Sequence, residues 1–284
     1  MNSNEPALWR DALPHPAADG HKYDRGHALV VSGGVASTGA ARLAAGAALR
    51  IGAGLVTVAS PSSALLVNAA QLTAVMVRAV DGAAGVATLL EDERFNAVVA
   101  GPGMGHGGMG HGGTRDTATR DTVLAILHSG AAAVLDADAL TAFAGEPDAL
   151  FAAIRGRNAA TVLTPHDGEF GRLFAIHGPH AEGAQKAAGR SGAVVVRKGP
   201  RTAVAAPHGR AVVNRHASPY LATAGAGDVL AGMVGGLLAQ GMDAFEAATA
   251  AVWMHGDAAR RFGPGLVAED LEGLLPAVLR DLPG

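Results

Sequence analysis

Ala28-Leu29-Val30-Val31-Ser32-Gly33-Gly34, then Thr38-Gly39-Ala40-Ala41, then Leu55-Val56-Thr57-Val58-Ala59 is the stretch on which the fold turns. Its first piece is a short apolar run ending in a glycine loop, which reads as a buried strand. Leu43, Ala44, Ala47, Ala48 and Ile51 follow at helical spacing, and Gly52 and Gly54 close that stripe. The third piece is a second strand, stopped by Ser60-Pro61. Strand, glycine loop, helix and strand over residues 28–59 make a βαβ unit, which implies parallel pairing. Gly33 and Gly34 admit two readings. One is close packing of helix on sheet. The other, which we favour, is ligand approach to bare backbone at the carboxyl end of a strand, where open α/β sheets bind their ligands.

The same pattern recurs along the chain. Ala97-Val98-Val99-Ala100 runs into Gly101-Pro102-Gly103-Met104-Gly105, and Ala132-Ala133-Val134-Leu135 runs into Asp136-Ala137-Asp138. Of these two acids Asp138 suits capping of the next helix, while Asp136 sits nearer the strand tip and is the better functional candidate. Thr161-Val162-Leu163-Thr164 is broken by Pro165 and carries His166, Asp167 and Glu169 at its tip. Ala193-Val194-Val195-Val196-Arg197 leads to Lys198-Gly199-Pro200-Arg201-Thr202, whose cations suit phosphates but equally suit a basic hairpin turn, since Ala203-Val204-Ala205-Ala206 returns as a strand.

Ala222-Thr223-Ala224-Gly225-Ala226-Gly227-Asp228 is a glycine turn opening onto Val229, Leu230, Met233, Val234, Leu237 and Leu238, again at helical spacing. Such a turn points backbone N–H groups and the positive end of the helix dipole at one spot, which suits a phosphate. Asp228 is placed to take a proton from a substrate oxygen, although an aspartate at a helix start is also an ordinary cap. A nearly all-apolar helix over Ala247–Met254 closes on His255, read as a packed or end-of-helix residue. Asp270 to Leu279 gives a final amphipathic helix interrupted by Pro276.

Composition agrees with an α/β fold. The 284 residues are 49% hydrophobic and 17% charged with 40 glycines, which suits a sheet of small aliphatics covered by alanine-rich helices. A net charge of −3 supplies no global basic field for nucleic acid or an anionic membrane. The absence of cysteine excludes disulfides, thiolate zinc sites and a cysteine nucleophile. No apolar run reaches the length of a membrane span, no signal-peptide core is visible, and the cytoplasm is the expected location. Residues 1–20 read as an N-terminal extension and 21–284 as a single domain. Gly103-Met104-Gly105-His106-Gly107 is nearly repeated as Gly108-Met109-Gly110-His111-Gly112, and Thr114-Arg115-Asp116-Thr117 as Thr119-Arg120-Asp121-Thr122. These read as short expansions in a solvated surface loop. His106 and His111 lack the carboxylate or thiol partners of a strong metal site.

With these pieces in hand, the stretch from His21 to the end resembles the NAD(P)H-hydrate dehydratase family of the ribokinase-like superfamily. The motifs follow the family's order: His21-Lys22, Thr38-Gly39-Ala40-Ala41, Gly52-Ala53-Gly54-Leu55-Val56, Gly101-Pro102-Gly103-Met104-Gly105, Asp136-Ala137-Asp138, Thr164-Pro165-His166-Asp167-Gly168-Glu169-Phe170, Lys198-Gly199 and Ala222–Leu230. The resemblance implies a mostly parallel central sheet with helices on both faces. It implies dehydration of hydrated NADH or NADPH coupled to hydrolysis of ADP or ATP, with Mg²⁺ bridging the phosphates on ligands that the sequence does not identify. Lys198, Gly199, Pro200, Arg201, Thr202, Gly225, Ala226 and Gly227 would contact the adenine nucleotide. Ala40, Ala41, Gly103, His166 and Asp228 would contact the hydrated dinucleotide, with Asp228 as the catalytic base. Relatives imply a homotetramer, and the partner epimerase domain fused ahead of some of them is expected on a separate chain. Where family members carry Thr-Gly-Asn-Pro-Gly-Met, this chain reads His216-Ala217-Ser218-Pro219-Tyr220-Leu221, and Ala224 and Ala226 replace a common Gly and Thr. Two other readings keep the fold: a small-molecule kinase acting on a thiazole or pyrimidine alcohol, and a nucleotide-binding regulatory module without activity.

Overall fold

The computed structural model describes residues 2–105 and 114–282. The His106 and His111 repeat, with its candidate metal role, lies outside the described residues. One ten-stranded sheet runs through the molecule. Its strands are β1 (Asn2–Ser3), β2 (His27–Val31), β3 (Leu55–Ser60), β4 (Met76–Ala79), β5 (Ala97–Ala100), β6 (Ala132–Leu135), β7 (Thr161–Leu163), β8 (Val194–Arg197), β9 (Ala203–Ala205) and β10 (Ala211–Val213). Their spatial order is β1-β10-β9-β8-β7-β6-β5-β2-β3-β4. From β4 across to β8 every pair is parallel, with Val30 opposite Val58 and Val99, whereas β9 pairs antiparallel with both β8 and β10. The expected mostly parallel α/β sheet is present.

Eleven helices among the described residues cover it: α1 (Thr38–Arg50), α2 (Leu65–Gln71), α3 (Gly82–Leu89), α4 (Thr114–His128), α5 (Ala137–Thr141), α6 (Pro147–Arg155), α7 (Asp167–Phe174), α8 (His180–Ser191), α9 (Ala226–Ala239), α10 (Ala244–Phe262) and α11 (Ala268–Arg280). Strand side chains alternate between the two faces, so each buried strand feeds two cores. Val30, Val58, Val99, Val134 and Val196 pack under α1, α9, α10 and α11. Leu29, Val31, Val98, Leu135, Leu163 and Val195 pack under α3 to α8. That double coverage explains why these strands read as continuous apolar runs.

Three expectations change. The first residues are not an extension outside the fold: β1 pairs parallel with β10, and Trp9 is 2% exposed. A two-residue strand carries no readable period, so the sequence hid it. Pro276 does not interrupt the last helix, because it lies on the exposed side of α11, where water can reach the carbonyl that loses its partner. The repeat at Thr114–Thr122 belongs to α4 rather than to a loop.

Candidate active site

The chain passes from β2 outward to β3 and β4, then returns to place β5 on the other side of β2 and continues to β8. Such a switch of direction opens a crevice at the carboxyl ends of β2 and β5. The two glycine loops meet there at backbone distance. A Cβ on Gly33 would lie 1.6 Å from the Gly103 carbonyl oxygen, and one on Gly101 (φ +118°) would lie 1.8 Å from that of Asp136. Gly33 therefore serves close approach of one loop to the other rather than packing of helix on sheet, whereas Gly34 is exposed with open space where a side chain would stand. Gly103 (φ +66°) sits over the start of α1, 3.2 Å from the Ala40 Cβ when measured from an added Cβ. Ala41 is fully buried in the core under α1, so of this pair Ala40 alone borders the crevice.

Charge collects beside these loops. β7 and β8 end together, bridging His166 to Lys198. The His166 ring caps α7 by accepting from the Gly168 and Glu169 backbone, and the Glu169 carboxylate accepts from the His166 backbone N–H. Lys198 reaches across to β6, where its Nζ donates to Asp136 Oδ1 at 2.6 Å, and Asp136 is 1% exposed. Helix α9 closes the group. Gly225 takes a left-handed conformation (φ +87°), which an L side chain rarely adopts, and its added Cβ would strike Leu43 and Ala268. Its turn sets Gly227 over the ion pair: a Cβ there would be 3.2 Å from Lys198 Nζ and 3.8 Å from Asp136 Oδ2. Asp228 stands in the first turn of α9.

The electrostatics follow from that crowding. Burial, helped by the charge of Asp136, pushes the Asp228 carboxyl up to about 6 against the pull of Lys198. Burial likewise raises Glu169. Burial disfavours the charged ammonium of Lys198, but Asp136, Glu169 and Asp228 outweigh it and hold its pKa above the ordinary lysine value. A weak base held in water-poor surroundings beside a fixed cation and a helix N-terminus can deprotonate a hydroxyl while the developing phosphate charge is met.

Beside the cluster opens a cavity of about 610 Å³. Lys198, Gly199, Pro200, Thr202, Ala226 and Gly227, six of the eight residues that the resemblance assigns to the nucleotide, line it, while Arg201 is exposed outside the lining and Gly225 contributes conformation rather than surface. Sequence reasoning gave no contact role to its far wall, Asn214 to Leu221, beyond noting where His216–Leu221 departs from the family's motif, nor to its floor, Leu230, Val252 and His255. The wall is irregular backbone over 214–218 followed by one 3₁₀ turn over Pro219–Leu221, with no period to read. His255 is in the middle of α10, not at its end, and burial lowers its pKa to about 4, so it is neutral there.

Among the described residues no three acids or histidines are grouped to hold an ion, so Asp136, Asp138, Glu169 and Asp228 do not form a preformed cage. No described helix is long and apolar enough to cross a membrane.

The family model described as NAD(P)H-hydrate dehydratase matches residues 28–271. A bifunctional NAD(P)H-hydrate repair enzyme from Gloeobacter violaceus is 41% identical over 98% of this chain and 54% of its own length. This chain thus spans about half the length of the bifunctional relatives it matches. An ADP-dependent (S)-NAD(P)H-hydrate dehydratase from Neisseria meningitidis is 36% identical over 86% of this chain and 79% of the relative. The crystal structure of an ADP/ATP-dependent NAD(P)H-hydrate dehydratase from Bacillus subtilis, co-crystallized with ATP/Mg²⁺, superposes with a TM-score of 0.84 at 27% identity, covering 100% of this chain and 99% of that one. The matched residues 28–271 take in the crevice, the ion-paired cluster and the glycine turn of α9, and the chain belongs to the NAD(P)H-hydrate dehydratase family.

Proposed function

We propose that the protein dehydrates the (S) hydrate of NADH or NADPH back to the dihydronicotinamide, coupled to hydrolysis of ADP or ATP. The observation that carries this reading is Asp228, a carboxylate raised to about 6 at the N-terminus of α9, beside the Lys198–Asp136 pair and the nucleotide-sized cavity. The phosphates extend from the cavity toward Gly227 and Lys198, and the hydrated ring sits in the crevice bordered by Ala40, Gly103 and His166.

Asp228 takes the proton of the ring hydroxyl as that oxygen bonds to the terminal phosphorus of the nucleotide, and the bond from phosphorus to the bridging oxygen breaks. Backbone N–H groups of Ala226, Gly227 and Asp228, with Lys198, meet the charge that builds on the transferred group. The ring phosphate ester then leaves, driven by the ring-nitrogen lone pair, and the adjacent ring carbon releases a proton to restore the dihydronicotinamide. Mg²⁺ belongs to this reading as the counter-ion carried by the nucleotide phosphates, and no step depends on protein ligands to it. A homotetramer and a cytoplasmic location are part of the same proposal.

The test follows the near-ultraviolet absorbance of the dihydronicotinamide. Hydrated NADH is supplied with Mg²⁺ and ADP, with ATP, or with no nucleotide. Recovery with one nucleotide supports the reaction and names the phosphoryl donor. A flat trace with both overturns it, and a stable phosphorylated alcohol formed from a thiazole or pyrimidine substrate would establish the kinase reading instead.

A further inference from the structure

The far wall of the cavity is irregular backbone, and what holds it still comes from the other end of the chain. Asn214, which lines the cavity and is 1% exposed, donates from Nδ2 to the His216 carbonyl at 2.9 Å, and its N–H donates to the Thr202 carbonyl at 2.8 Å. Its side-chain oxygen accepts from Asn4 Nδ2 at 3.1 Å, across 210 residues of chain. Asn4 is itself 1% exposed and fully committed. Its backbone N–H donates to Val213, its Nδ2 also donates to the Thr249 carbonyl of α10 at 2.8 Å, and its Oδ1 accepts from Trp9 Nε1 at 3.1 Å. A second path of rings runs parallel. Trp9 meets Trp253 at 5.9 Å, and Trp253 stacks on His216 at 4.5 Å, whose Nε2 pairs with Asp257 at 2.8 Å. Both paths start at the N-terminal segment and end on residues 214–216.

We propose that Asn4 is a positioning residue for the nucleotide site, fixing the 214–218 wall through Asn214 with Trp9 as its anchor. It touches no ligand. Removing its amide strands the Asn214 oxygen and the Trp9 indole N–H in the interior together, while the Thr249 carbonyl keeps only its place in the helical ladder of α10, and stranded buried groups find partners by moving. The segment free to move is the one with no regular structure, which is the cavity wall. The phosphate end, held by Lys198, Asp136 and α9, makes no contact with Asn4. The loss should therefore fall on the nucleotide and spare the hydrated dinucleotide. This inference rests on the nucleotide reading of the cavity.

The experiment measures ADP binding by calorimetry, which needs no turnover, on the whole chain and three variants. Asn4→Ala is expected to weaken ADP by about tenfold, with the KM for hydrated NADH at saturating ADP unchanged. Trp9→Phe keeps an aromatic ring against Trp253 and removes the indole donor, so a smaller loss in the same direction is expected, and this variant decides the matter if Asn4→Ala does not fold. Phe151→Leu, in the opposite core against Phe174, lowers thermal stability without changing ADP affinity. Wild-type affinity in the folded Asn4 and Trp9 variants overturns the proposal. So does an equal loss in Phe151→Leu, which would make the effect one of general stability. Wild-type protein that binds no adenine nucleotide overturns the functional reading itself, and this inference with it.

Discussion

Asp228 carries an ionisation cost that catalysis would use. Its pKa is raised to about 6, so the protonated form is the one the fold favours: its contribution to stability is present at pH below the ordinary carboxylate value and is lost as pH rises through about 6. Asp228→Asn removes that cost. The variant should melt a few degrees higher than wild type at about pH 8, a gain of about 1–3 kcal/mol, and the difference should shrink as the pH falls toward about 4. Turnover should drop by about 10²–10⁴-fold, the usual worth of a general base. In the wild type, kcat/KM should fall on the acid side with an apparent pKa near 6, the value to which burial raises Asp228. A profile flat down to about pH 4.5 would remove Asp228 as the base.

Lys198 tests the same cluster from the opposite sign. Lys198→Met strands the buried Asp136 carboxylate and should cost about 3–5 kcal/mol in denaturant unfolding. Adding Asp136→Asn should return most of that stability while leaving ADP affinity low, because the phosphate cation is still missing. Asp228 and His166 were legible from their places beside glycine and proline turns. The Lys198–Asp136 contact was not, since it joins positions 62 apart through strand order alone.

At the scale of elements, α9 delivers Asp228 only as accurately as it seats on α1. The two helices approach through small residues: a Cβ on Gly232 would lie 2.1 Å from the Ala44 carbonyl, and one on Gly236 would lie 2.6 Å from that of Ala48. Gly232→Ala should push α9 off its seat, lower the melting temperature by several degrees and reduce turnover with it, read by calorimetry and the absorbance assay on one preparation. Gly189, on the exposed side of α8 with open space at its Cβ, is the contrast. Gly189→Ala should gain about 0.5–1 kcal/mol from helix propensity alone and leave activity untouched. The helical periods of α1 and α9 and the apolar runs of the strands were readable because each pattern is local. β1 was not, having two residues. The fate of Pro276 was not either, because whether a proline breaks a helix depends on which side faces water, and that is set by the packing of α11.

The whole molecule is a parallel sheet whose order decides which loops meet. Repeated strand–glycine–helix units dictated parallel pairing, but spacing alone cannot place β5 beside β2, and that placement makes the crevice. The antiparallel β8–β9–β10 margin with β1 outside it brings the N-terminus to the cavity wall, a consequence invisible until the sheet is assembled. Ligand binding should therefore be felt globally. The cavity is walled by the β8–β9 turn, the 214–222 segment, α9 and α10, so a nucleotide there ties the antiparallel margin of the sheet to two central helices. A ligand at about a hundredfold its Kd adds about 2.7 kcal/mol to the native state. For a chain of 284 residues that corresponds to a rise of roughly 4–5 °C in Tm. ADP should produce that shift in wild type and Asp228→Asn, where the cavity is intact, and much less in Lys198→Met, where the phosphate end is gone. Equal shifts in all three would mean that binding energy comes from the adenosine half alone. The role of Lys198 would then be confined to holding Asp136, and the charge on the transferred phosphoryl group would have to be met by the first turn of α9.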